Sequence, residues 1–215
     1  VTVNLLEKTK RLQRAVGATD DGIYGNETAD KLLATLDVPP SEALPPLSDV
    51  IVKGAGKNVT RVFLHCTATR EGQDVDAATI KRWHVTPVAK GGRGWRDIGY
   101  HFVIRLDGTI EVGRDEAIPG AHVEGFNTGS IGIVYVGGLD AQGKAKDTRT
   151  DAQKKAMEWL CRELGAAYPA ARIMGHRDAS PDRNGDGKIT SNEWLKECPC
   201  FDVASWLQSV GIDPR

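Results

Sequence analysis

The run Ser130-Ile-Gly-Ile-Val-Tyr-Val136 constrains the fold more than any other segment. It is apolar and β-branched, with no polar residue to face water on alternate positions. Such a run reads as a central strand buried on both faces, and a strand of that kind needs layers packed above and below its sheet. Other segments supply strands and layers. Arg61-Val-Phe-Leu-His-Cys66 and Gly99-Tyr-His-Phe-Val-Ile-Arg105 read as strands, and Arg172-Ile-Met-Gly-His176 as a last short one. Leu106-Asp107-Gly108-Thr109 is a hairpin turn, because Asp-Gly suits a two-residue loop with positive φ, and Ile110 to Val112 returns as a strand. Asp76 caps a short helix to about His84, with Ile80 and Trp83 as packing residues. Thr150 and Gln153 form a capping box for a helix whose core face is Met157, Leu160, Cys161 and Leu164, ended by Gly165. Asp202 caps a final helix through Leu207. The sum is an α/β fold: a mixed central β-sheet flanked by helices.

Before this domain the pattern differs. Residues 4–36 read as a helical pair. Asn4 caps the first helix, with Leu5, Leu12 and Val16 on one face and Gly17 as its stop. Asn26 caps the second, in which Ala29, Leu32, Leu33 and Leu36 repeat at helical spacing. Pro39, Pro40, Pro45 and Pro46 stiffen the stretch that follows. The expected organisation is a small helical module over 1–38, a linker over 39–58 and the α/β domain over 59–215.

Composition narrows the classes of function. With 28 basic and 29 acidic residues the net charge is −1, which lacks the basic field of a nucleic-acid binder. No apolar run reaches the roughly 20 residues of a membrane helix, and the N-terminus has no signal-peptide pattern. Four cysteines in 215 residues are too few for a disulfide scaffold. Two of them fall together in Cys198-Pro-Cys200, which points to metal binding or chemistry. Cys66 and Cys161 read as small core residues.

Three candidate metal ligands stand out: His65, His176 and one cysteine of the Cys-Pro-Cys segment. Both histidines end strands, where open α/β sheets place their sites. Two imidazoles and a thiolate leave zinc a fourth position for water, the arrangement of a catalytic rather than a structural site. Spacing alone does not link them, and the plainer reading of each histidine is a satisfied strand-end residue. A second metal pattern is sharper. Asp182-Arg-Asn184-Gly-Asp186-Gly187-Lys188-Ile-Thr190-Ser-Asn-Glu193 follows the twelve-residue EF-hand loop: side-chain oxygens from Asp182, Asn184 and Asp186, the turn at Gly187, the Lys188 carbonyl, Thr190 through water and Glu193 as the closing bidentate ligand. The plainer reading is an acidic, glycine-rich surface loop. As a calcium site without a long preceding helix, it is expected to fix the distance between His176 and the cysteine segment rather than to sense calcium.

His65-Cys-Thr-Ala-Thr69, Gly99-Tyr-His-Phe102, Asp107-Gly-Thr109, Gly113-Arg-Asp115, Ser130-Ile-Gly132 and Cys198-Pro-Cys-Phe-Asp202 occur in this order. Together they resemble the zinc-dependent N-acetylmuramoyl-L-alanine amidases related to peptidoglycan recognition proteins, over roughly residues 61–207. The resemblance implies zinc held by His65, His176 and Cys198, with Cys200 outside the ligand set. It implies Tyr100 and Lys196 as catalytic residues and places His122 on the cleft wall as a substrate contact. His84 and His101 are read as structural. Leu12-Gln13, Gly17, Asp21-Gly-Ile-Tyr-Gly25 and Thr28-Ala29 resemble a peptidoglycan-binding module. The implied function is cleavage of the amide between N-acetylmuramic acid and L-alanine, in a monomeric phage-type lytic enzyme. Its partner is bacterial peptidoglycan, with no nucleic acid or membrane. Such an enzyme is made in the cytoplasm without a signal peptide and acts on the cell wall after release. The alternative is a recognition protein that binds peptidoglycan without cleaving it.

Overall fold

The computed structural model describes residues 58–214 and, before them, residues 12–17, 19, 31 and 52. The chain forms two compact units, Val1–Asp49 and Val50–Arg215. In the first, residues 12–16 are helical, and the turn at Gly17 takes a positive φ of 70° that suits glycine. The rest of the expected helical pair, with Asp21-Gly-Ile-Tyr-Gly25 and the proline-rich stretch, lies outside the described residues.

The second unit is built on a five-stranded sheet. Its strands are β1 (Arg61–Cys66), β3 (Phe102–Ile104), β4 (Ile110–Val112), β5 (Ser130–Tyr135) and β7 (Arg172–Gly175). Their order is β4-β3-β5-β1-β7. β1 runs parallel to both β5 and β7, and β3 is parallel to β5, while the Asp-Gly hairpin makes β4 antiparallel to β3. Two short strands, β2 (Thr69–Arg70) and β6 (Gly138–Leu139), pair beyond the ends of β1 and β5. The mixed sheet agrees with the expectation, and every residue of β5 is buried as its apolar sequence requires.

Alternation along the strands sorts side chains into two layers. Val62, Leu64, Phe102, Ile104, Ile131 and Ile133 pack with Met157, Leu160 and Leu164 of α2 (Asp151–Ala167) and with Val203 and Leu207 of α3 (Val203–Ser209). On the other face Val103, Val134 and Val136 pack with Ile80 of α1 (Ala77–Val85).

α1 starts at Asp76, whose Oδ1 accepts the Thr79 N–H at 2.7 Å. Its buried residues are Ile80 and His84, one turn apart. Trp83, expected in the core, lies off that face and is 40% exposed. His84 is buried in its place and its Nδ1 accepts the Gly99 N–H at 3.0 Å.

α2 carries the expected capping box. Thr150 Oγ1 accepts the Gln153 N–H and Gln153 Oε1 accepts the Thr150 N–H, both at 3.0 Å. Gln153 also reaches the sheet. Its Nε2 donates to the carbonyls of Ile104 and Val136 at 3.2 and 2.9 Å. Gly165 does not end the helix, which continues to Ala167. The last turn is held by Tyr168, which is buried and donates its hydroxyl proton to Glu116 at 2.8 Å. The third strand is also shorter than expected. Gly99 to His101 fall outside it because His101 Nδ1, rather than a strand carbonyl, accepts the Gly132 N–H at 2.9 Å.

Two substitutions separate the cap from the anchor. Thr150→Ala removes one capping acceptor and is expected to cost about 1 kcal/mol. Gln153→Ala also takes one hydrogen bond from each of two carbonyls, of which Ile104 keeps the Val136 N–H, and is expected to cost about 2–3 kcal/mol. Urea unfolding of both variants checks the order, and equal losses would show that the sheet contacts contribute nothing.

Candidate metal centre and active-site cleft

His65 is the fifth residue of β1, and its side chain leaves the sheet on the α1 face, opposite Leu64 and Cys66. The parallel register pairs Leu64 with Gly175, so the next residue on each chain is His65 and His176. β7 stops at Gly175, and His176 opens a 3-10 turn, His176–Ala179. The two Nδ1 atoms come to 3.1 Å. Cys198 reaches the same point from a loop. Its Sγ lies 3.7 Å from His65 Nδ1, and the ligand atoms of all three residues fall within 4.8 Å of one another.

The Cys198 loop is fixed from three sides. The Cys198 carbonyl accepts the Arg177 N–H at 2.8 Å, and the Pro199 carbonyl accepts the Tyr135 hydroxyl at 2.8 Å. The Cys66 N–H points at the Cys198 sulfur at 3.3 Å.

These distances fit a metal. A tetrahedral zinc, with Zn–N of about 2.0–2.1 Å and Zn–S of about 2.3 Å, sets nitrogens ~3.3 Å apart and nitrogen from sulfur ~3.6 Å apart. The soft sulfur and two imidazoles suit zinc, and three protein ligands leave a position open. Burial lowers the pKa of His65 well below its ordinary value, helped by the charges of neighbouring histidines and Lys196. Burial, followed by Lys196, takes His176 down to about 4. Both imidazoles are therefore neutral near pH 7, the form that binds metal.

Behind His65 stands His122. With His65 Nδ1 turned to the ligand cluster, its Nε2–H points at His122 Nδ1, 3.2 Å away. His122 Nε2–H then faces Ser130 Oγ at 3.4 Å, and the Ser130 hydroxyl donates to the Asn127 carbonyl at 3.1 Å. Asn127 Oδ1 accepts the N–H groups of His122 and Val123 at 2.8 and 3.0 Å. Every donor in this train points away from the ligand atom of His65, the arrangement that fixes the tautomer of a metal-binding histidine. The ring fits because Gly120 and Gly132 lack side chains: a Cβ on either would come within 2.3 or 2.6 Å of His122 Cδ2.

The sequence put His122 on the cleft wall as a substrate contact. It lines the cleft and is buried, with both ring nitrogens partnered inside the protein: Nδ1 accepts from His65 and Nε2–H faces Ser130. The clue in the sequence was the pair of flanking glycines rather than the histidine itself.

Tyr100 and Lys196 line the same cleft as His176, Cys198 and His122. The Tyr100 ring centroid lies 5.2 Å from that of His65, and burial pushes its phenol pKa above the ordinary value. Lys196 is exposed at the rim, and its charge is felt at both histidines. His84, Arg93 and Trp95 also line the cleft, where the sequence reading had given them no place, and so does Asn127 of the His122 loop. His101 stays behind the sheet edge, its Nε2 facing the Ile118 carbonyl at 3.1 Å. Cys200 lies outside the ligand cluster, as expected.

The 182–193 loop is a separate feature. Asp182 accepts the N–H groups of Gly185 and Gly187 at 2.6 and 2.8 Å, and Asp186 accepts that of Lys188 at 2.8 Å. Asn184 Oδ1 accepts the Asp186 N–H at 3.0 Å. Glu193 is buried and accepts the N–H groups of Arg183 and Thr190, which hold its carboxyl below the ordinary pKa. Among the described residues, His65, His176 and Cys198 form the one tight group of three or more His, Cys, Asp or Glu ligands. The carboxylates of Asp182, Asp186 and Glu193 do not form a second.

The sequence profile of the N-acetylmuramoyl-L-alanine amidase family matches residues 55–189. The chain is 38% identical over 153 residues to an endolysin of Enterobacteria phage K11, covering 71% of this chain and 88% of that protein. Among solved structures it is similar to the Ph2119 endolysin from Thermus scotoductus MAT2119 bacteriophage Ph2119. That match has a TM-score of 0.53 and 26% identity over 73% of this chain and 87% of the other. The N-acetylmuramoyl-L-alanine amidase LysC from Clostridium intestinale URNW matches with a TM-score of 0.52 and 25% identity, over 73% and 88% of the two chains.

The buried imidazoles predict a stability profile for the metal-free protein. Unfolded histidines take up protons below about 6.5. Folded His84 and His176 resist until about 4, and His122 until about 3. Protonation therefore favours the unfolded chain, and stability present at pH 7 is lost as pH falls from about 6.5 to about 4. Calorimetry at constant ionic strength should show the melting temperature falling through that window; a level midpoint contradicts neutral buried imidazoles.

Proposed function

The chain belongs to the N-acetylmuramoyl-L-alanine amidase family, and from that premise we propose how it acts as a peptidoglycan hydrolase. It cleaves the amide between N-acetylmuramic acid and L-alanine with zinc-activated water, as a phage-type lytic enzyme working on the cell wall. The observation that carries this reading is the meeting of two imidazoles and one sulfur within 4.8 Å of one another, with His65 at 3.1 Å from His176 and 3.7 Å from Cys198, beside Tyr100 and Lys196. A recognition protein that only binds the polymer has no need of such a set.

An amide is a poor electrophile and water a poor nucleophile at neutral pH. A zinc ion held by His65, His176 and Cys198 would lower the pKa of a bound water to about 7 and polarise the substrate carbonyl. The chain supplies the rest. His65, His176 and Cys198 hold the ion, and His122 holds His65 in the productive tautomer. Tyr100 stays a neutral phenol, so it serves as a hydrogen-bond partner that orients the attacking water and passes its proton on. Lys196 brings a positive charge to the oxygen that becomes negative as the carbonyl is attacked. Its exposed position lets the side chain close on the substrate from the rim.

Two parts of this reading concern the rest of the chain. Residues 1–38 serve as a wall-binding arm that raises local substrate concentration, supported by the Asp21-Gly-Ile-Tyr-Gly25 pattern. No helix among the described residues is long and apolar enough to cross a membrane. The 182–193 loop binds calcium as a structural brace. Its support is the full loop pattern, the Gly187 N–H turned onto Asp182, and the closure of its base where Ser180 accepts the Leu195 N–H at 3.0 Å on the cleft wall.

Mass spectrometry of digested peptidoglycan should show stem peptides with a free L-alanine N-terminus. A chelator or Cys198→Ala should reduce hydrolysis to background together with bound zinc. Tyr100→Phe should keep its zinc and lose roughly 10²–10⁴-fold in kcat. Hydrolysis undiminished in a zinc-free sample would falsify the metal-dependent mechanism. For the brace, adding calcium to zinc-loaded, calcium-free protein should raise the melting temperature of the wild type but not of Glu193→Gln. No shift in the wild type removes calcium from the reading.

A further inference from the structure

Cys66 and Cys200 are the two cysteines nearest the ligand cluster that take no part in it. Their sulfurs lie 3.6 Å apart. Cys66 ends β1, directly after His65, on the opposite face of the strand. Cys200 follows the ligand Cys198 by two residues in a tight turn, its N–H donated to the Glu197 carbonyl at 2.7 Å. It adopts φ of 71°, a left-handed conformation that L-residues other than asparagine and aspartate seldom take. Glycine would relieve that cost, so a side chain here needs a reason. The turn directs its sulfur back onto Cys66.

The surroundings hold the pair together. Gly138 takes φ of 104° and presses its backbone against both residues. A Cβ there would lie 2.6 Å from Cys66 Sγ and 3.6 Å from Cys200 Sγ. Below them the Tyr135 hydroxyl holds the Pro199 carbonyl, which fixes the loop between the two cysteine-bearing segments. A disulfide would bring these sulfurs from 3.6 Å to about 2.05 Å.

We propose that Cys66 and Cys200 form a disulfide under oxidising conditions, tying the β1 segment that carries His65 to the loop that carries Cys198. The oxidant is a disulfide such as glutathione disulfide. One cysteine thiolate attacks it, releasing one glutathione thiol. The second cysteine then displaces the other glutathione from the mixed disulfide. Two electrons pass from the cysteine pair to the oxidant, the new S–S bond replaces the old one, and both cysteine protons end on glutathione. Cys198 keeps its place in the ligand set throughout. The bond closes a long loop of chain between residues 66 and 200, so it restricts the unfolded state strongly. It also removes the freedom of the two segments to part, which slows loss of the metal. A cell-wall hydrolase that works outside the reducing cytoplasm meets such conditions.

The test uses the zinc-loaded full chain equilibrated in glutathione buffers from reducing to oxidising, then quenched, alkylated in denaturant, digested and read by mass spectrometry. Peptides containing Cys66 and Cys200 should appear joined, with Cys161 and Cys198 alkylated and one zinc retained per chain. The oxidised protein should melt several degrees higher and yield zinc to a chelator several-fold more slowly, both reversed by dithiothreitol. Cys200→Ser should show neither the link nor any response to dithiothreitol. The proposal is overturned if all four thiols remain free in the most oxidising buffer. It is equally overturned if Cys198 enters a disulfide and zinc is released, or if Cys200→Ser keeps the dithiothreitol-sensitive stability. None of these readouts depends on hydrolysis, so they stand apart from the assignment of the reaction.

Discussion

The pairing of β1 with β7 is the constraint on which the site depends. Parallel hydrogen bonding fixes Leu64 opposite Gly175 and so brings His65 and His176 together at the next step. A slip of one residue would turn every side chain of β1 to the wrong face. That slip is opposed by Val62 and Leu64 on one side and Phe63 on the other, all fully buried. The energy that sets the register is thus apolar burial of the residues that precede His65 on the strand. The histidines occupy positions already decided by the hydrophobic pattern of the strand.

Register brings the histidines together but does not orient them. Orientation comes from the buried His122 and Ser130, backed by the half-buried Asn127. In such surroundings a charged imidazole is unfavourable, and burial is the largest cause of the lowered pKa of His65, His122 and His176. The same low-dielectric setting keeps lone pairs free for a metal and makes the hydrogen-bond train directional. Acid lability and readiness to bind metal therefore have one origin.

The sequence reveals the framework well because apolar runs and caps act locally. β1, β5, the hairpin and the capping box of α2 follow from contiguous residues. It misleads where a distant contact outweighs a local signal. Gly165 looks like a helix stop, yet Tyr168 and Glu116 hold another turn. Trp83 looks like core, yet the helix turns Ile80 and His84 inward. The His65, His176 and Cys198 cluster could be picked out through resemblance to a family, since the separations of these residues along the chain form no compact pattern. The role of His122 behind His65 was hidden for another reason: it depends on the absence of two side chains, at Gly120 and Gly132, and on a neighbour at Ser130.

The end of β1 shows how one strand serves two layers. His65 leaves it towards the α1 face, where Tyr100 and His122 flank it and His84 packs on Tyr100. Cys66, the next residue, leaves towards α2 and α3, where it meets Cys200. The Cys198 loop passes round the strand end between them, packing on the α2 side while its sulfur reaches the imidazole of the other. The Cys66 N–H also points at the Cys198 sulfur, at 3.3 Å. The strand end thus meets the cluster twice, through the His65 imidazole and through the Cys66 backbone, which makes it, rather than any one residue, the unit that a substitution here would disturb.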